Sequence, residues 1–435
     1  MSPVQSALPI FGRAVAGIHT ESMEQKEFCI ATPPCGAVRG SIERGMKVFR
    51  GVPYASAERF CVPEKRTWDG VADALVFGQC CPQGRAYYDE SVLSPFYYNE
   101  FRRGLSFAYG EDCLRLNVFA PVDAQKSPVL VFLHGGAFAH GSSDELPFDG
   151  EEICKRGVTL VTVNYRLNVF GFVSDGSVPY NLGLHDQIAA LRWVNENISA
   201  FGGDPDNVTL SGQSAGAIST QILALDDGVK ALVKRVFMMS GGGFVKGVFR
   251  PHNARLTARL AEKTVRCAGV QSFAELKTLG AKELFDAWNK AFNSSPLMQL
   301  AVLPAMDGVI ARKERYESFG RDGQLPALIG VTSEDLIAPL MRSAAKSYAV
   351  KSPADCWQYM FSKEPPGGGR KGAWHSSDLW YVFGTLSRSH RPFGEDDREL
   401  SRRMTDAVCA FARDGVPRTD GAPWGRAPYY REYFP

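Results

Sequence analysis

The chain has 435 residues, of which 45% are hydrophobic and 22% are charged, as is usual for a soluble globular protein with a large core. Its 49 basic and 47 acidic residues leave a net charge of +2, which argues against a nucleic acid or an anionic membrane as the partner. No segment approaches the roughly 18 consecutive apolar residues that a membrane-spanning helix needs.

The N-terminus carries weak signals. The first twenty residues are mildly apolar, but Arg13 interrupts them and no clear cleavage site follows. We therefore expect a leader over residues 1–30, which could be disordered. The ten cysteines fit neither a zinc site nor a redox pair. We expect a cytoplasmic protein, a monomer or weak homo-oligomer, with no nucleic acid or membrane partner.

The predicted elements alternate between strand and helix. A β-rich lead-in is followed by strands at 118–120, 129–133, 158–163, 208–210, 236–239 and 327–331. Helical spacing occurs at 186–197, 256–268, 273–292 and 397–413. Continuous apolar runs such as 129–133 are typical of strands buried on both faces. The pattern predicts an α/β fold, with a mostly parallel central sheet flanked by helices. Residues 31–435 form one domain in this interpretation, with a helical cap inserted around 245–325.

A nucleophile elbow is predicted at residues 212–216, which read Gly-Gln-Ser-Ala-Gly. The pentapeptide follows the strand at 208–210 and precedes a run of small residues. A tight strand-to-helix turn of this kind lifts a serine hydroxyl out of the backbone, and small neighbours avoid clashes. Ser214 is therefore the candidate nucleophile, although the pentapeptide alone would be weak evidence.

Donors for an oxyanion are predicted at the end of the strand at 129–133. There the chain reads His134-Gly135-Gly136-Ala137-Phe138. Glycines let backbone N–H groups face a site without side chains in the way, and the N–H of Ala215 would join them. The alternative is an ordinary glycine turn at a strand end.

The base and the acid should follow the serine in the chain. Of seven histidines, only His375 and His390 lie late enough, and His390 stands in a charged, solvated setting. We favour His375. Glu334 and Asp335, which follow the strand at 327–331, are both candidates for the acid. Either could instead be a loop carboxylate that caps the next helix.

Further motifs make the chain resemble the type B carboxylesterase family of the α/β-hydrolase fold, which includes cholinesterases and bacterial para-nitrobenzyl esterases. The resemblance covers about residues 35–425. The motifs that carry it, in order, are Phe49-Arg50-Gly51-Val52-Pro53-Tyr54-Ala55, Glu111-Asp112-Cys113-Leu114-Arg115-Leu116-Asn117, Asn164-Tyr165-Arg166-Leu167, Asn181-Leu182-Gly183-Leu184-His185-Asp186-Gln187 and Phe201-Gly202-Gly203-Asp204-Pro205.

The resemblance implies a catalytic triad of Ser214, Asp335 and His375, because Asp335 aligns with the family's acid, which is usually glutamate. It also implies an oxyanion hole made by the backbone N–H groups of Gly136, Ala137 and Ala215. Around these it implies supporting residues, which are Gly135, Gln213 and Ser240. Gln213 stands where many relatives carry glutamate. Cys81 and Cys113 match the family's first disulfide pair, which could stay reduced in a cytosol.

One departure from the family pattern and one aromatic segment concern the entrance to the site. Only 39 residues separate Asp335 from His375, fewer than in typical members. We therefore expect a shortened cap and a wider mouth. The segment 87–109 is rich in aromatic residues. It is expected to pack on its own rings, while Phe138, Tyr97 and Tyr98 are candidates for the substrate pocket.

The expected activity is hydrolysis of small to medium carboxylic esters through an acyl-enzyme, with no metal or organic cofactor. One alternative is a weakly active or non-enzymatic scaffold of the same fold. Another is an amidase, a lactonase or a thioesterase that uses the same triad.

Overall fold

The structure is a computed structural model that describes residues 27–242, 250–319, 324–336, 354–427 and 431–435, together with residues 338, 339, 342, 343, 348 and 350. Within these ranges, none of the helices combines the length and the apolar character that crossing a bilayer demands. The predicted leader lies outside the described residues up to position 26.

A 12-stranded sheet forms the centre of the molecule. Its path runs β1-β2-β3-β7-β9-β8-β10-β11-β14-β15-β18, and β6 pairs with β2. The strands are β1 (Glu27–Ala31), β2 (Ala37–Glu43), β3 (Met46–Pro53), β4 (Ala55–Ser56), β5 (Glu64–Lys65), β6 (Val71–Asp73), β7 (Arg115–Pro121), β8 (Ser127–Leu133), β9 (Thr159–Val163), β10 (Gly203–Gln213), β11 (Arg235–Met239), β12 (His252–Asn253), β13 (Ala305–Met306), β14 (Ala327–Thr332), β15 (Cys356–Phe361), β16 (Arg418–Thr419), β17 (Ala422–Pro423) and β18 (Glu432–Phe434).

Helices cover both faces of this sheet. The described α-helices are α1 (Glu90–Leu93), α2 (Pro95–Phe101), α3 (Glu151–Lys155), α4 (Asn168–Gly171), α5 (Leu182–Asn197), α6 (Ala215–Ala224), α7 (Asp227–Lys230), α8 (Ala254–Ala268), α9 (Ala281–Phe292), α10 (Pro296–Leu300), α11 (Lys313–Glu317), α12 (Leu379–Val382) and α13 (Glu395–Asp414). Short 3₁₀ turns lie at Gly84–Ala86, Ile198–Phe201, Ala274–Thr278 and Leu386–Arg388.

The inner strands are apolar because both of their faces are covered. In β9 and β14 every residue is buried, and β8 is buried at all but one position. From β9 to β18 the neighbouring strands pair in parallel, while β1, β2, β3, β7 and β9 pair antiparallel along the other side. The prediction of a mostly parallel central sheet is thereby confirmed.

The structure corrects two boundaries. Residues 27–30, which the sequence assigns to the leader, belong to β1, because they extend an antiparallel pairing with β2. The helical segment predicted at 273–292 is divided into a 3₁₀ turn and α9, since Leu279 and Gly280 adopt extended backbone angles between them. The terminal helix predicted at 397–413 is confirmed as α13, which buries Leu400, Met404, Val408 and Phe411.

The predicted functional residues follow strands that lie side by side. Gly135 and Ser214 come after β8 and β10, and Asp335 comes after β14. His375 lies in the segment between β15 and α12. Because these strands are parallel, the segments that follow them meet at one edge of the sheet, which is where α/β folds bind ligands.

Candidate active site

Ser214 sits at a strained turn between β10 and α6. Its backbone has φ 55° and ψ −119°, angles that non-glycine residues rarely adopt. The Ser214 N–H donates to the carbonyl oxygen of Met239 at 2.8 Å, which ties the turn to the end of β11. The serine hydroxyl is thus carried at the tip of a turn that neighbouring strands hold in place.

Glycines allow this turn to be so tight. A Cβ atom on Gly216 would lie 2.0 Å from the carbonyl oxygen of Leu133, and one on Gly212 would lie 2.3 Å from the carbonyl carbon of Gly216. On the other side, a Cβ on Gly241 would lie 2.3 Å from the carbonyl oxygen of Ser214. The backbone on both sides of the serine therefore leaves no room for a side chain.

The loop after β8 lies against the serine. A Cβ on Gly135 would lie 3.1 Å from the Cβ of Ser214. The next two residues, Gly136 and Ala137, have φ 118° and φ 54°, and the N–H groups of Ala139 and His140 donate to the Gly136 carbonyl. Gly136 and Ala137 line the same cavity as Ser214. A loop of this shape can turn backbone N–H groups toward a substrate oxygen.

His375 and Asp335 form a direct pair. Nδ1 of His375 lies 2.6 Å from Oδ2 of Asp335, whose side chain is only 4% exposed. The His375 side chain is 30% exposed and lines the cavity with Ser214. A buried carboxylate at Nδ1 keeps the proton on that atom, so that Nε2 is left to act as the base.

Glu334, the other candidate acid, lies along a cavity that His375 also lines, but among the described residues it forms no hydrogen bond with the imidazole. Its carboxylate accepts a weak hydrogen bond from the Ser333 hydroxyl at 3.4 Å, and its Cγ lies against the backbone of Gly372. Of the two adjacent acids, the structure brings Asp335 to the imidazole.

Gln213 contacts the base directly. Its side-chain Nε2 lies 3.3 Å from Nε2 of His375 and donates to the Ser376 hydroxyl at 2.8 Å. An imidazole Nε2 has a single lone pair, so the Gln213 amide and the Ser214 hydroxyl compete for it. Within the part of the chain that the structure describes, this amide is the hydrogen-bonding contact of Nε2.

A second buried carboxylate lies behind the base. Asp378 is fully buried and accepts a hydrogen bond from the Tyr359 hydroxyl at 2.8 Å. Burial raises the pKa of Asp378 to about 6; the Tyr359 hydrogen bond and the nearby His375 lower it, and the charge of Asp335 adds to the rise. Ser240, which the resemblance places behind the nucleophile, is also buried. It lines the second of the two cavities described next, and its N–H donates to the Gly330 carbonyl.

Two cavities meet at Ser214 and His375, and Tyr97 lines both. We call them the first lobe, with a volume of ≈ 410 Å³, and the second lobe, with a volume of ≈ 460 Å³. The first lobe is walled by α9 through Phe285, Trp288 and Phe292. The second lobe lies on the side of the His375 segment.

The charges in the first lobe neutralise one another. Arg102 donates to Glu90 at 2.8 Å and to Glu145 at 3.1 Å, and Arg85 donates to Glu145 at 2.9 Å. Burial opposes ionisation of Glu145, but the two arginines outweigh it and lower the pKa of that carboxyl. Burial also lowers the pKa of His140 to about 4, so His140 is neutral at pH 7. Among the described residues, the polar wall of this lobe therefore carries no uncompensated charge.

Not every candidate for the substrate pocket lies in the cavities. Tyr97 lines both lobes. Phe138 is fully buried against Phe172, with ring centroids 4.8 Å apart, and belongs to the core rather than to the lining of either lobe. Tyr98 follows Tyr97 on α2 but is not among the residues that line either lobe.

The aromatic segment packs partly on itself and partly on the segment that carries His375. Phe96 lies 4.9 Å from Trp374 between ring centroids, and Phe101 lies 6.0 Å from the same ring. This contact supports the residue next to His375. All ten cysteines are free thiols. A hydrogen bond with the neighbouring Cys81 raises the pKa of Cys113, and burial raises it further.

Several residues at the site were missed by sequence reasoning. These are Arg85, Arg102, Glu145, Arg370, Lys371 and Asp378. Arg370 and Lys371 could have been noticed, since they stand between the glycine run and His375. The residues of the first lobe come from segments far apart in the chain, so local sequence patterns do not predict that they meet.

Comparisons with known proteins all relate the chain to carboxylesterases. The model of the carboxylesterase family matches residues 27–346 and 336–433. The chain is 32% identical to the para-nitrobenzyl esterase of Bacillus subtilis (strain 168), over 93% of this chain and 93% of that protein. It is also 32% identical to the bile salt-activated lipase of Rattus norvegicus, over 86% of this chain and 74% of that protein.

Solved structures give the same result. The fold superimposes on a thermophilic PNB esterase with a TM-score of 0.80 and 30% identity, covering 92% of this chain and 94% of that one. A carboxylesterase of Geobacillus stearothermophilus matches with a TM-score of 0.75 and 29% identity, covering 91% of this chain and 93% of that one. The residues that the family model matches include the segments that carry the site described above.

Proposed function

Because the chain belongs to the carboxylesterase family and is a carboxylic ester hydrolase with the α/β-hydrolase fold, we propose that Ser214, His375 and Asp335 carry out its reaction. The observation that carries this proposal is the 2.6 Å contact between His375 and Asp335 beside a serine at a strained elbow. Acyl transfer needs a nucleophile, a base and an orienting acid within one cavity.

In the proposed mechanism, Nε2 of His375 removes the proton of Ser214 as Oγ attacks the ester carbonyl. Asp335 holds the proton on Nδ1 and stabilises the imidazolium that forms. The imidazolium then protonates the departing alcohol, and a water activated by the same base hydrolyses the acyl-enzyme. Gln213 must yield Nε2 to the serine during this cycle, because both groups use one lone pair.

We assign the oxyanion hole to the backbone N–H groups of Gly136, Ala137 and Ala215. The support is the left-handed turn at Gly136 and Ala137, which leaves the loop's backbone beside Ser214, and the position of Ala215 at the start of α6. Each such donor contributes about 3 kcal/mol to lowering the barrier in enzymes of this type.

The natural substrate in this proposal is a small to medium ester. The protein would act in the cytoplasm as a monomer or weak homo-oligomer. Ten free thiols within the described residues favour a reducing compartment. Cell fractionation and size-exclusion chromatography test these two points independently of the chemistry.

The test of the catalytic assignment is Ser214→Ala with a 4-nitrophenyl ester. We expect kcat to fall by about 10⁶-fold, as it does when the nucleophile of a triad is removed. Ser272→Ala is the matched control and should keep wild-type turnover, because Ser272 is exposed and, among the described residues, its hydroxyl bonds only to Glu275. A fluorophosphonate probe should label the wild type and the control but not Ser214→Ala. Near-normal turnover by Ser214→Ala would remove this serine from the mechanism.

A further inference from the structure

Two cations line the second lobe without a carboxylate partner. Arg370 and Lys371 are both exposed and both line the cavity that holds Ser214 and His375. Within the described residues, neither forms an ion pair. The first lobe differs, because each of its arginines is bonded to a glutamate.

The guanidinium of Arg370 is held in place by aromatic rings. Its carbon lies 4.2 Å from the ring centroid of Phe96 and 5.1 Å from that of Tyr97. Nη1 donates to the Tyr97 hydroxyl at 3.3 Å. The remaining N–H donors of the guanidinium have no partner among the described residues. The aromatic rings already restrict the guanidinium of Arg370. It therefore loses little conformational freedom when its N–H groups bind a carboxylate.

Acids also lie near these cations, and Glu334 itself lines the second lobe. Asp335 is bonded to His375, and the side chain of Glu334 lies against Gly372 and Ser333. Glu364, close in the chain, accepts the N–H of Gly372 at 2.9 Å. These carboxylates lower the positive potential of the lobe. Among the described residues, however, none of them forms an ion pair with Arg370 or Lys371.

Resting on the proposed function, we propose that the second lobe selects esters that carry a carboxylate, which Arg370 binds with support from Lys371. A cavity of ≈ 460 Å³ is on the order of 8–10 Å across. An extended chain of about four or five bonds between the reacting carbonyl and the carboxylate spans that width when a contact of about 2.8 Å to the guanidinium is added. Monoesters of five- and six-carbon diacids meet this requirement.

The experiment compares matched ester pairs. The anionic probes are mono-4-nitrophenyl glutarate, charged on the acyl side, and 4-(butyryloxy)benzoate, charged on the alcohol side. Their neutral partners are 4-nitrophenyl pentanoate and methyl 4-(butyryloxy)benzoate. The measured quantity is the ratio of kcat/KM for the anionic ester to kcat/KM for its neutral partner, which cancels changes common to both substrates.

We expect Arg370→Gln to lower this ratio about fivefold and Lys371→Gln about threefold for at least one pair, mainly through KM, since half-exposed ion pairs contribute modestly. Arg370→Lys keeps the charge but not the fork and should recover part of the loss. Arg266→Gln, an exposed arginine paired with Glu262 on α8, is the control and should leave the ratio unchanged. In the wild type the ratio should fall as salt is added, because salt screens exposed charges.

Three results would overturn the proposal. The ratio could stay constant in Arg370→Gln and Lys371→Gln for both pairs. Both members of a pair could lose kcat equally, which would mean that Arg370 only positions the segment bearing His375. An ester with a quaternary ammonium group could be preferred and depend on Glu334. In each case loss of turnover in Ser214→Ala would leave the catalytic assignment intact, so the two proposals fail separately.

Discussion

The two halves of the candidate active site are held in place by different kinds of contact. The nucleophile half comprises residues 133–141 and 208–216, and the base half comprises residues 332–336 and 372–378. In the nucleophile half the contacts are between backbone atoms, with glycines where a Cβ would collide. The base half relies on hydrogen bonds between side chains, such as the one between His375 and Asp335 and the one that Gln213 of the nucleophile half donates to Ser376.

This difference determines how each half responds to change. A backbone contact fails when any side-chain atom is inserted, whatever its chemistry, because closely packed backbone cannot relax. A side-chain hydrogen bond fails when its donor, acceptor or proton is changed, even at constant volume. The nucleophile half should therefore be sensitive to size, and the base half to charge and protonation.

Apart from the loss of the nucleophile Ser214 itself, the largest expected effect is in the base half. Asp335→Asn keeps the volume but offers His375 an amide in place of a carboxylate, which favours the wrong imidazole tautomer. We expect kcat for a 4-nitrophenyl ester to fall by about 10⁴-fold. The free energy of unfolding should change much less, and both quantities are measured on the same preparation.

Glu334→Gln is the matched control for Asp335→Asn. The two acids are adjacent, but within the described part of the chain the Glu334 carboxylate accepts only the weak hydrogen bond from Ser333. We expect its kcat to stay within about threefold of the wild type, since a surface contact of this kind contributes little. Equal losses in the two variants would mean that the acid has been assigned to the wrong residue.

The next effect is steric and belongs to the nucleophile half. In Gly216→Ala the new Cβ would lie 2.0 Å from the Leu133 carbonyl oxygen and 2.8 Å from that of His134. Backbone must move on one side, so we expect the free energy of unfolding to fall by about 4 kcal/mol, in the range of the most damaging substitutions. Chemical denaturation followed by fluorescence measures this loss.

Gly280→Ala provides the comparison for Gly216→Ala. Gly280 precedes α9 with φ −59° and has no atom within 4 Å of a Cβ. We expect a loss of about 1 kcal/mol or less, which reflects only the preference of the N-cap position. If both alanine variants lost similar stability, close backbone contact would not be what makes the elbow intolerant.

The same distinction explains how far the sequence could be read. Glycines stand where the backbone leaves no room for a side chain. The elbow around Ser214 and the loop at Gly135 could therefore be predicted from local sequence patterns. Apolar runs likewise predicted the inner strands such as β8 and β14. The sequence alone left Glu334 and Asp335 open, because one step along a loop reverses the direction of a side chain.

Other features could not be predicted, since they depend on contacts between distant segments. Phe138 is in the core because Phe172, from another element, packs against it. The pairing of Arg85 with Glu145 joins residues 60 positions apart. Residues 27–30 form a strand because they pair with β2, and their own composition does not predict this pairing.

The smallest expected effect concerns the second carboxylate of the base half, Asp378. Its pKa rises from 3.8 to about 6 in the folded protein, mainly through burial. The folded state therefore binds this proton more tightly than the unfolded state does. The resulting stabilisation is complete below about pH 4 and is lost as the pH rises through about 6, at about 1.4 kcal/mol for each unit of pKa shift.

Asp378→Asn removes this titration while keeping an acceptor for the Tyr359 hydroxyl. Its free energy of unfolding, relative to the wild type, should increase by about 2 to 3 kcal/mol between pH 4 and pH 7, whatever the constant offset that the new amide adds. Urea unfolding of both proteins at several pH values gives this difference. Tyr359→Phe deletes the hydrogen bond that lowers the pKa of Asp378, so the loss of stability should then extend to higher pH. A stability difference that stays constant with pH, or that falls, would show that the pKa of Asp378 in the folded protein is not raised above its value in the unfolded chain.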